Sequence, residues 1–175
     1  MLFGDLVGFA SLTAETPAAD LVARLNEIFS SFDQAVAELG LEKIKTIGDA
    51  YMAVGGVPVP QPDHTEAVAE LALRMLQEVV QFNARTGATV QVRIGVDVGP
   101  VVAGIIGRHK YAYDLWGNAV NVASRMESHS LPGRIQVTAA VEERLRARYR
   151  FEPRGRIALK GIGEMSTFFL IGRSE

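Results

Sequence analysis

Residues 42–54 read Glu-Lys-Ile-Lys-Thr-Ile-Gly-Asp-Ala-Tyr-Met-Ala-Val, and this stretch decides the fold. Charged and apolar residues alternate from Glu42 to Ile47, which is typical of a strand with one buried face. Gly48 and Asp49 suit a tight turn, and the residues that follow are apolar again. The stretch therefore predicts a β-hairpin over Glu42–Ile47 and Ala50–Val54 with an aspartate at its tip.

Helical patterns flank this hairpin on both sides. Before it, apolar residues at helical spacing follow Thr16 and Pro17, which suit an N-cap and a first helical position, so we predict a helix over Pro17–Leu39. After it, a proline-containing loop leads to Asp63 and Glu66, which resemble a capping box, and to a second amphipathic helix.

The rest of the chain alternates between β-branched runs and helical stretches. Gln91–Val98 and Val101–Ile106 predict a second hairpin with well-buried strands, followed by a glycine-bounded loop from Gly107 to Gly117. The remaining predicted elements are a helix over Asn118–Ser128, a strand over Arg134–Val137, a helix over Val141–Tyr149 and closing strands over Ile157–Lys160 and Ser166–Ile171.

Because Met1 to Phe3 resemble the end of a buried strand, the elements follow the order β, α, β, β, α, β with additions. This order predicts an α+β fold with a ferredoxin-like βαββαβ core, additional C-terminal strands and a helix, and an antiparallel sheet covered by helices.

Composition limits the function classes. A chain of 175 residues with 48% hydrophobic content favours a single domain over residues 1–175. A net charge of −2 offers no broad basic surface, so we expect no nucleic-acid partner. The absence of cysteine excludes a disulfide framework and a cysteine nucleophile. No apolar run approaches the roughly 18 residues of a membrane span, so we expect no membrane contact by this segment.

Two aspartates beside glycines are candidate metal ligands. Asp5 follows a buried strand and precedes Leu6, while Asp49 lies at the predicted hairpin tip. If their strands are neighbours, the two carboxylates could share a pair of magnesium-like cations about 4 Å apart, as in-line phosphoryl chemistry requires. Aspartate next to glycine is also a common turn residue, so each one alone fits a structural role.

Three further polar residues are candidate ligand contacts. Asn121 and Arg125 are four apart on a predicted helix, so they project from one face and could contact one ligand. A guanidinium there would suit charge developing on a phosphate, although a solvated helix face has the same pattern. Lys160, between Leu159 and Gly161, fits either a phosphate contact or an ordinary surface lysine.

Five segments, in order, resemble the catalytic domains of class III adenylyl and guanylyl cyclases. They are residues 3–9, 43–52, 93–104, 113–126 and 159–161, and the resemblance covers nearly the whole chain. Ala10 departs from a frequent threonine, and Pro100 stands where some members have a phosphate-binding arginine.

The resemblance implies a role for each candidate residue. Asp5, Asp49 and the backbone carbonyl of Leu6 would bind two divalent cations, Mg²⁺ or Mn²⁺. The backbone N–H groups of three residues would face the triphosphate, namely Gly8, Phe9 and Ala10. Lys45 and Asp114 would read adenine, since guanylyl cyclases typically have glutamate at the lysine position. Asn121 would contact the ribose, Arg125 the α-phosphate and Lys160 the terminal phosphates.

The resemblance also implies an assembly and a reaction. Each site would be shared between two chains of a homodimer, and ATP would be converted to cyclic AMP and pyrophosphate. We further expect regulatory domains outside this chain and a cytoplasmic location. Three alternatives stay open: a guanylyl cyclase, a silent nucleotide-binding or dimerisation module, and a diguanylate cyclase or polymerase-type palm, which would not explain Lys45 with Asp114.

Overall fold

The computed structural model describes residues 1–9, 17–107 and 112–174. These ranges contain nine strands and four helices. The strands are β1 (Leu2–Val7), β2 (Glu42–Ile47), β3 (Ala50–Val54), β4 (Gln91–Val96), β5 (Val102–Ile106), β6 (Ala112–Trp116), β7 (Ile135–Thr138), β8 (Tyr149–Leu159) and β9 (Gly163–Arg173). The helices are α1 (Ala18–Glu38), α2 (His64–Thr86), α3 (Asn118–Ser128) and α4 (Ala139–Leu145).

Seven of the described strands form one sheet in the order β2-β3-β1-β4-β7-β9-β8. The central strand β1 pairs antiparallel with β3 on one side and with β4 on the other. Only the β4–β7 pair among these is parallel. The first six elements therefore form the predicted βαββαβ core, and the α+β prediction is confirmed.

The two faces of the sheet carry different clusters. Leu2 and Leu6 of β1 lie in the main core, which also contains buried residues of α1 and α2. Phe3 lies in a smaller cluster on the other face, together with Ala123 of α3. Because side chains alternate along a strand, Asp5 lies on the same face as Phe3, under α3.

The predicted pairing of β4 with β5 is wrong. β4 pairs with β1 and β7, whereas β5 pairs with β6 in a separate two-stranded sheet. β6 occupies part of the stretch predicted as a loop. β5 is also not buried, because Val102 and Ile105 are 70% and 67% exposed. A β-branched run favours a strand but does not determine its partner or its burial.

The C-terminal strands are longer than predicted. The last helix ends at Leu145, and Tyr149 begins β8 rather than closing that helix. Charged residues and Pro153 conceal this strand in the sequence, and such residues are tolerated because β8 lies at the edge of the sheet. The predicted capping box is also wrong, since Asp63 makes no side-chain capping bond to any residue the structure describes.

None of the four described helices is long and apolar enough to cross a membrane.

Candidate active site

Asp5 and Asp49 lie next to each other at one end of the central strands. Asp5 is paired with Ala50 across the β1–β3 ladder, and the backbone N–H of Leu6 donates to the Asp49 carbonyl at 3.2 Å. Burial raises the pKa of the Asp5 carboxyl, and the negative charge of Asp49 raises it further. The strands of the two aspartates are therefore neighbours, as the metal-site hypothesis requires.

The segment after β1 is only partly described. Gly8 has a φ of 85°, a left-handed conformation that favours glycine, and Phe9 is buried. Ala10, predicted to contact the triphosphate, lies outside the described residues.

The two aspartates offer oxygen donors alone, which Mg²⁺ and Mn²⁺ prefer. No group of three or more His, Cys, Asp or Glu in the described ranges could hold a metal ion. A cation bound between Asp5 and Asp49 would therefore need further ligands, such as the Leu6 carbonyl, water or phosphate oxygens. With such further oxygen ligands, the Asp5 and Asp49 carboxylates fit the binding of divalent cations.

Arg93 links this pair to α3. Its Nη2 donates to Oδ2 of Asp5 at 2.8 Å, and its Nε donates to Oε1 of Glu127 at 2.7 Å. Burial raises the pKa of Glu127, while Arg93 opposes that shift. Neither Arg93 nor Glu127 is among the site residues predicted from the sequence. Arg93 could have been recognised from the sequence, because it is the single cation within the otherwise largely apolar strand β4.

Lys45 and Asp114 form an ion pair between the edge strand β2 and the β5–β6 sheet. The Lys45 ammonium donates to Oδ2 of Asp114, and the Leu115 N–H donates to Oδ1 at 2.9 Å. The hydrogen bond from Lys45 lowers the pKa of Asp114. An ammonium has three donors and a carboxylate has about four lone-pair sites, so both groups keep capacity for a ligand.

Asn121, Arg125 and Lys160 surround one open cavity of about 500 Å³. Its described lining is Asn118, Asn121, Ser124, Arg125, Lys160, Gly161 and Ile162. The structure thus brings together three residues that the sequence singled out separately. Asp5, Asp49, Lys45 and Asp114 do not line this cavity.

The two faces of α3 separate these groups. Asn121 and Arg125 are on its exposed face, while Val122, Ala123 and Met126 are buried. Glu127 follows Arg125 by two residues, about 200° around the helix, and points to Arg93 and the sheet. Within one chain, the Asp5–Asp49 pair and Arg125 therefore lie on opposite sides of α3.

The sequence model of the adenylate and guanylate cyclase catalytic domain matches residues 1–172. The chain belongs to this family. It is 50% identical over 99% of its length to an adenylate cyclase of Mycobacterium tuberculosis, and it spans 39% of that protein. It is 43% identical over 98% of its length to a membrane guanylyl cyclase of Dictyostelium discoideum, of which it spans 11%.

A solved structure has the same fold. The guanylate cyclase domain from Catenaria anguillulae in complex with GTP superposes with a TM-score of 0.94 at 33% identity, covering 99% of this chain and 95% of that one. Family membership therefore establishes a cyclase domain, but it does not determine whether the substrate is ATP or GTP. That question depends on the residues of the site.

Proposed function

We propose that this domain converts ATP to 3′,5′-cyclic AMP and pyrophosphate, with two divalent cations, at sites shared between the chains of a homodimer. The observation that supports adenine most directly is the Lys45–Asp114 pair. Its two members present a donor and an acceptor side by side at the rim of the β5–β6 sheet.

These two groups complement the edge of adenine. Lys45 would donate to a ring nitrogen, and Asp114 would accept from the exocyclic amine. Guanine presents an acceptor and a donor in the opposite order, so the same arrangement would place donor against donor and acceptor against acceptor. A site that hydrogen-bonds its substrate rejects a mismatched analogue strongly for that reason.

The reacting groups would be held by the other residues. Asp5 and Asp49 would bind the two divalent cations, which would make the ribose 3′-hydroxyl acidic enough to lose its proton to water and would neutralise charge on the phosphates. Asn121 would orient the ribose so that its 3′-oxygen attacks the α-phosphorus in line while pyrophosphate leaves. Arg125 would stabilise the charge that develops on the α-phosphate, and Lys160 would hold the terminal phosphates.

Two features support a shared site. Asp5 and Arg125 of one chain lie on opposite sides of α3, so one chain does not assemble both halves around a single nucleotide. The β5–β6 sheet also exposes apolar side chains: besides Val102 and Ile105, Ile106 of β5 is 59% exposed and Trp116 of β6 is 39% exposed. An apolar surface of this kind typically marks an interface, and a two-fold contact would create two equivalent sites.

The experiment that tests this function measures the cyclic product directly. The purified protein is incubated with ATP or GTP in Mg²⁺ or Mn²⁺, with an Asp49→Asn variant as the matched control. We expect cyclic AMP from ATP, little cyclic GMP from GTP, and loss of both in the variant. Preferential formation of cyclic GMP would indicate a guanylyl cyclase. Nucleotide binding without product in either metal would indicate a silent module.

A further inference from the structure

Arg154 of β8 connects the C-terminal end of α3 to the sheet. Its Nη1 donates to the main-chain carbonyl of His129, the residue at which this helix ends. No carboxylate in the described part of the chain pairs with Arg154, and burial lowers the pKa of its guanidinium. The negative end of the α3 dipole therefore takes the place of a counter-ion for this cation.

The side chain of Arg154 projects from a bulge in β8. Pro153 pairs with Phe168, and Gly155 pairs with Thr167. Because these two partners are adjacent in β9, Arg154 is the extra residue of the bulge and has no ladder partner of its own. Gly155 has a φ of 102°, a left-handed conformation that favours glycine, and Thr167 Oγ1 donates to its carbonyl at 3.1 Å. A bulge bends its strand and redirects the side chain of the extra residue, here toward the end of α3.

The ring of Phe169 limits the directions that this guanidinium can take. Arg154 Cζ lies 5.3 Å from the ring centroid, and Phe169 is buried. Arg134 lies over the same ring, with its Cζ 4.4 Å from the centroid, but its Nη2 donates to the exposed Glu152 at 2.5 Å. Stacking on the ring and hydrogen bonding to α3 together hold the Arg154 side chain in one orientation.

His129 links this contact to Arg125. The main-chain N–H of His129 donates to the Arg125 carbonyl at 3.1 Å, and its ring Nδ1 lies 2.9 Å from the same oxygen. Arg154 is thus two hydrogen bonds away from the main chain of Arg125, whose side chain lines the open cavity. β8 ends at Leu159, and the next residue, Lys160, lines that cavity too. One strand therefore holds the last turn of α3 and also leads into Lys160.

We propose that Arg154 is a positioning residue for Arg125: by holding the last turn of α3 against β8, it sets the position of Arg125 relative to Lys160 across the cavity. The inference rests on the proposed function, in which these two groups contact the α-phosphate and the terminal phosphates of one nucleotide. A shift of Arg125 by about 1 Å would weaken its contact with the charge that develops on the α-phosphate, and misplacement on that scale can cost about 10² in rate. Contacts that other residues make with the bound substrate would remain.

Arg154→Met should therefore lower kcat without weakening nucleotide binding. We expect kcat for cyclic AMP formation to fall about tenfold. The affinity for 3′-deoxy-ATP, which lacks the attacking hydroxyl and cannot cyclise, should stay at the wild-type value. Arg154→Lys keeps a donor for the His129 carbonyl but lacks the planar guanidinium, so it should recover part of the lost kcat.

A double-mutant cycle tests whether Arg154 acts through Arg125. Arg154→Met is combined with Arg125→Ala, and kcat of the double variant is compared with that of Arg125→Ala alone. If Arg154 only positions the Arg125 side chain, its removal has no further effect once that side chain is absent. We expect the double variant and Arg125→Ala to have the same kcat.

Arg134→Met is the matched control. It removes a guanidinium from the same Phe169 ring but leaves the bond between Arg154 and His129 in place. Its kcat should stay at the wild-type value. Thermal unfolding of each variant shows whether a loss of kcat follows a lower Tm.

Three results would overturn the inference. An unchanged kcat in Arg154→Met would show that α3 keeps Arg125 in place without this contact. A further loss of kcat in the Arg125→Ala background would show that Arg154 acts independently of Arg125. Equal losses in Arg154→Met and Arg134→Met, in proportion to a lower Tm, would show a contribution to stability alone. A wild-type protein that forms no cyclic product from either nucleotide would instead refute the proposed function, and the inference with it.

Discussion

The Lys45 ammonium donates a hydrogen bond to the Asp114 carboxylate across two separate sheets, 69 positions apart in the chain. Lys45 lies in the outermost strand of the seven-stranded sheet, and Asp114 lies in the β5–β6 sheet. This contact joins the β5–β6 sheet to β2. It also places the two proposed base-reading groups in direct contact.

Lys45→Glu should therefore change nucleotide preference. The substitution removes the donor for adenine and places a second carboxylate against Asp114, so kcat/KM for ATP should fall by roughly 10² relative to that for GTP. The measurement is kcat/KM for both nucleotides. Lys43→Met is the control, because Lys43 contacts Asp33 and not Asp114. An unchanged ATP to GTP ratio would contradict the assignment.

Arg125→Ala should lower kcat with little effect on nucleotide affinity. The guanidinium is expected to act on charge that develops only in the transition state, so its removal should lower kcat by about 10² or more. Steady-state kinetics and binding of 3′-deoxy-ATP test this separation. Arg144→Ala, at an exposed position of α4, should leave both values unchanged. An equal loss in affinity and turnover would assign Arg125 to ground-state binding instead.

Gly95→Ala should destabilise the domain by about 3 kcal/mol, because the added methyl group would overlap the backbone of α3 rather than a movable side chain. Urea unfolding followed by circular dichroism gives the free energy of unfolding. Gly99→Ala is the control, since its Cβ would lie 3.2 Å from the Ala119 Cβ and needs only a small adjustment. Equal stability of the two variants would mean that α3 is not held by close contact.

Asp97 should make stability depend on pH. The residue is 7% exposed and accepts a hydrogen bond from Thr138 Oγ1 at 2.7 Å. Burial raises its pKa more than the hydrogen bonds from Thr138 and Val98 lower it. In the window between the ordinary carboxyl pKa and this raised pKa, the folded state binds more protons than the unfolded state. The free energy of unfolding therefore falls as pH rises through that window.

Asp97→Asn retains an acceptor for Thr138 and removes the charge. The stability of this variant relative to the wild type should increase as pH rises through the same window and then stay constant. Urea unfolding at a series of pH values measures the difference. A difference that does not vary with pH would contradict this interpretation.

The sequence predicts local structure better than long-range pairing. The hairpin over Glu42–Ile47 and Ala50–Val54 is confirmed to the residue, because alternation and a Gly-Asp turn specify it locally. The predicted pairing of β4 with β5 fails, because neither strand encodes its partner. β4 is inserted between β1 and β7, which are distant in the chain.

In the candidate site, too, the sequence indicates residues with a local signal but not the contacts that depend on tertiary structure. Asp5 and Asp49 could be proposed from the sequence because each follows a recognisable strand or turn. The contact between Arg93 and Glu127 could not, since it exists only once Gly95 allows α3 to lie against β4. The spacing of Asn121 and Arg125 predicts a shared helix face, but their proximity to Lys160 depends on tertiary structure.

The shared active site is tested most directly by mixing two inactive variants. Asp49→Ala and Asn121→Ala chains are each assayed alone for cyclic AMP formation and then after unfolding and refolding together in equal amounts. Random pairing places half of the protein in heterodimers with one intact site of two, so activity should recover to about a quarter of the wild-type value. A mixture as inactive as its parents, under conditions that restore wild-type activity, would contradict the account.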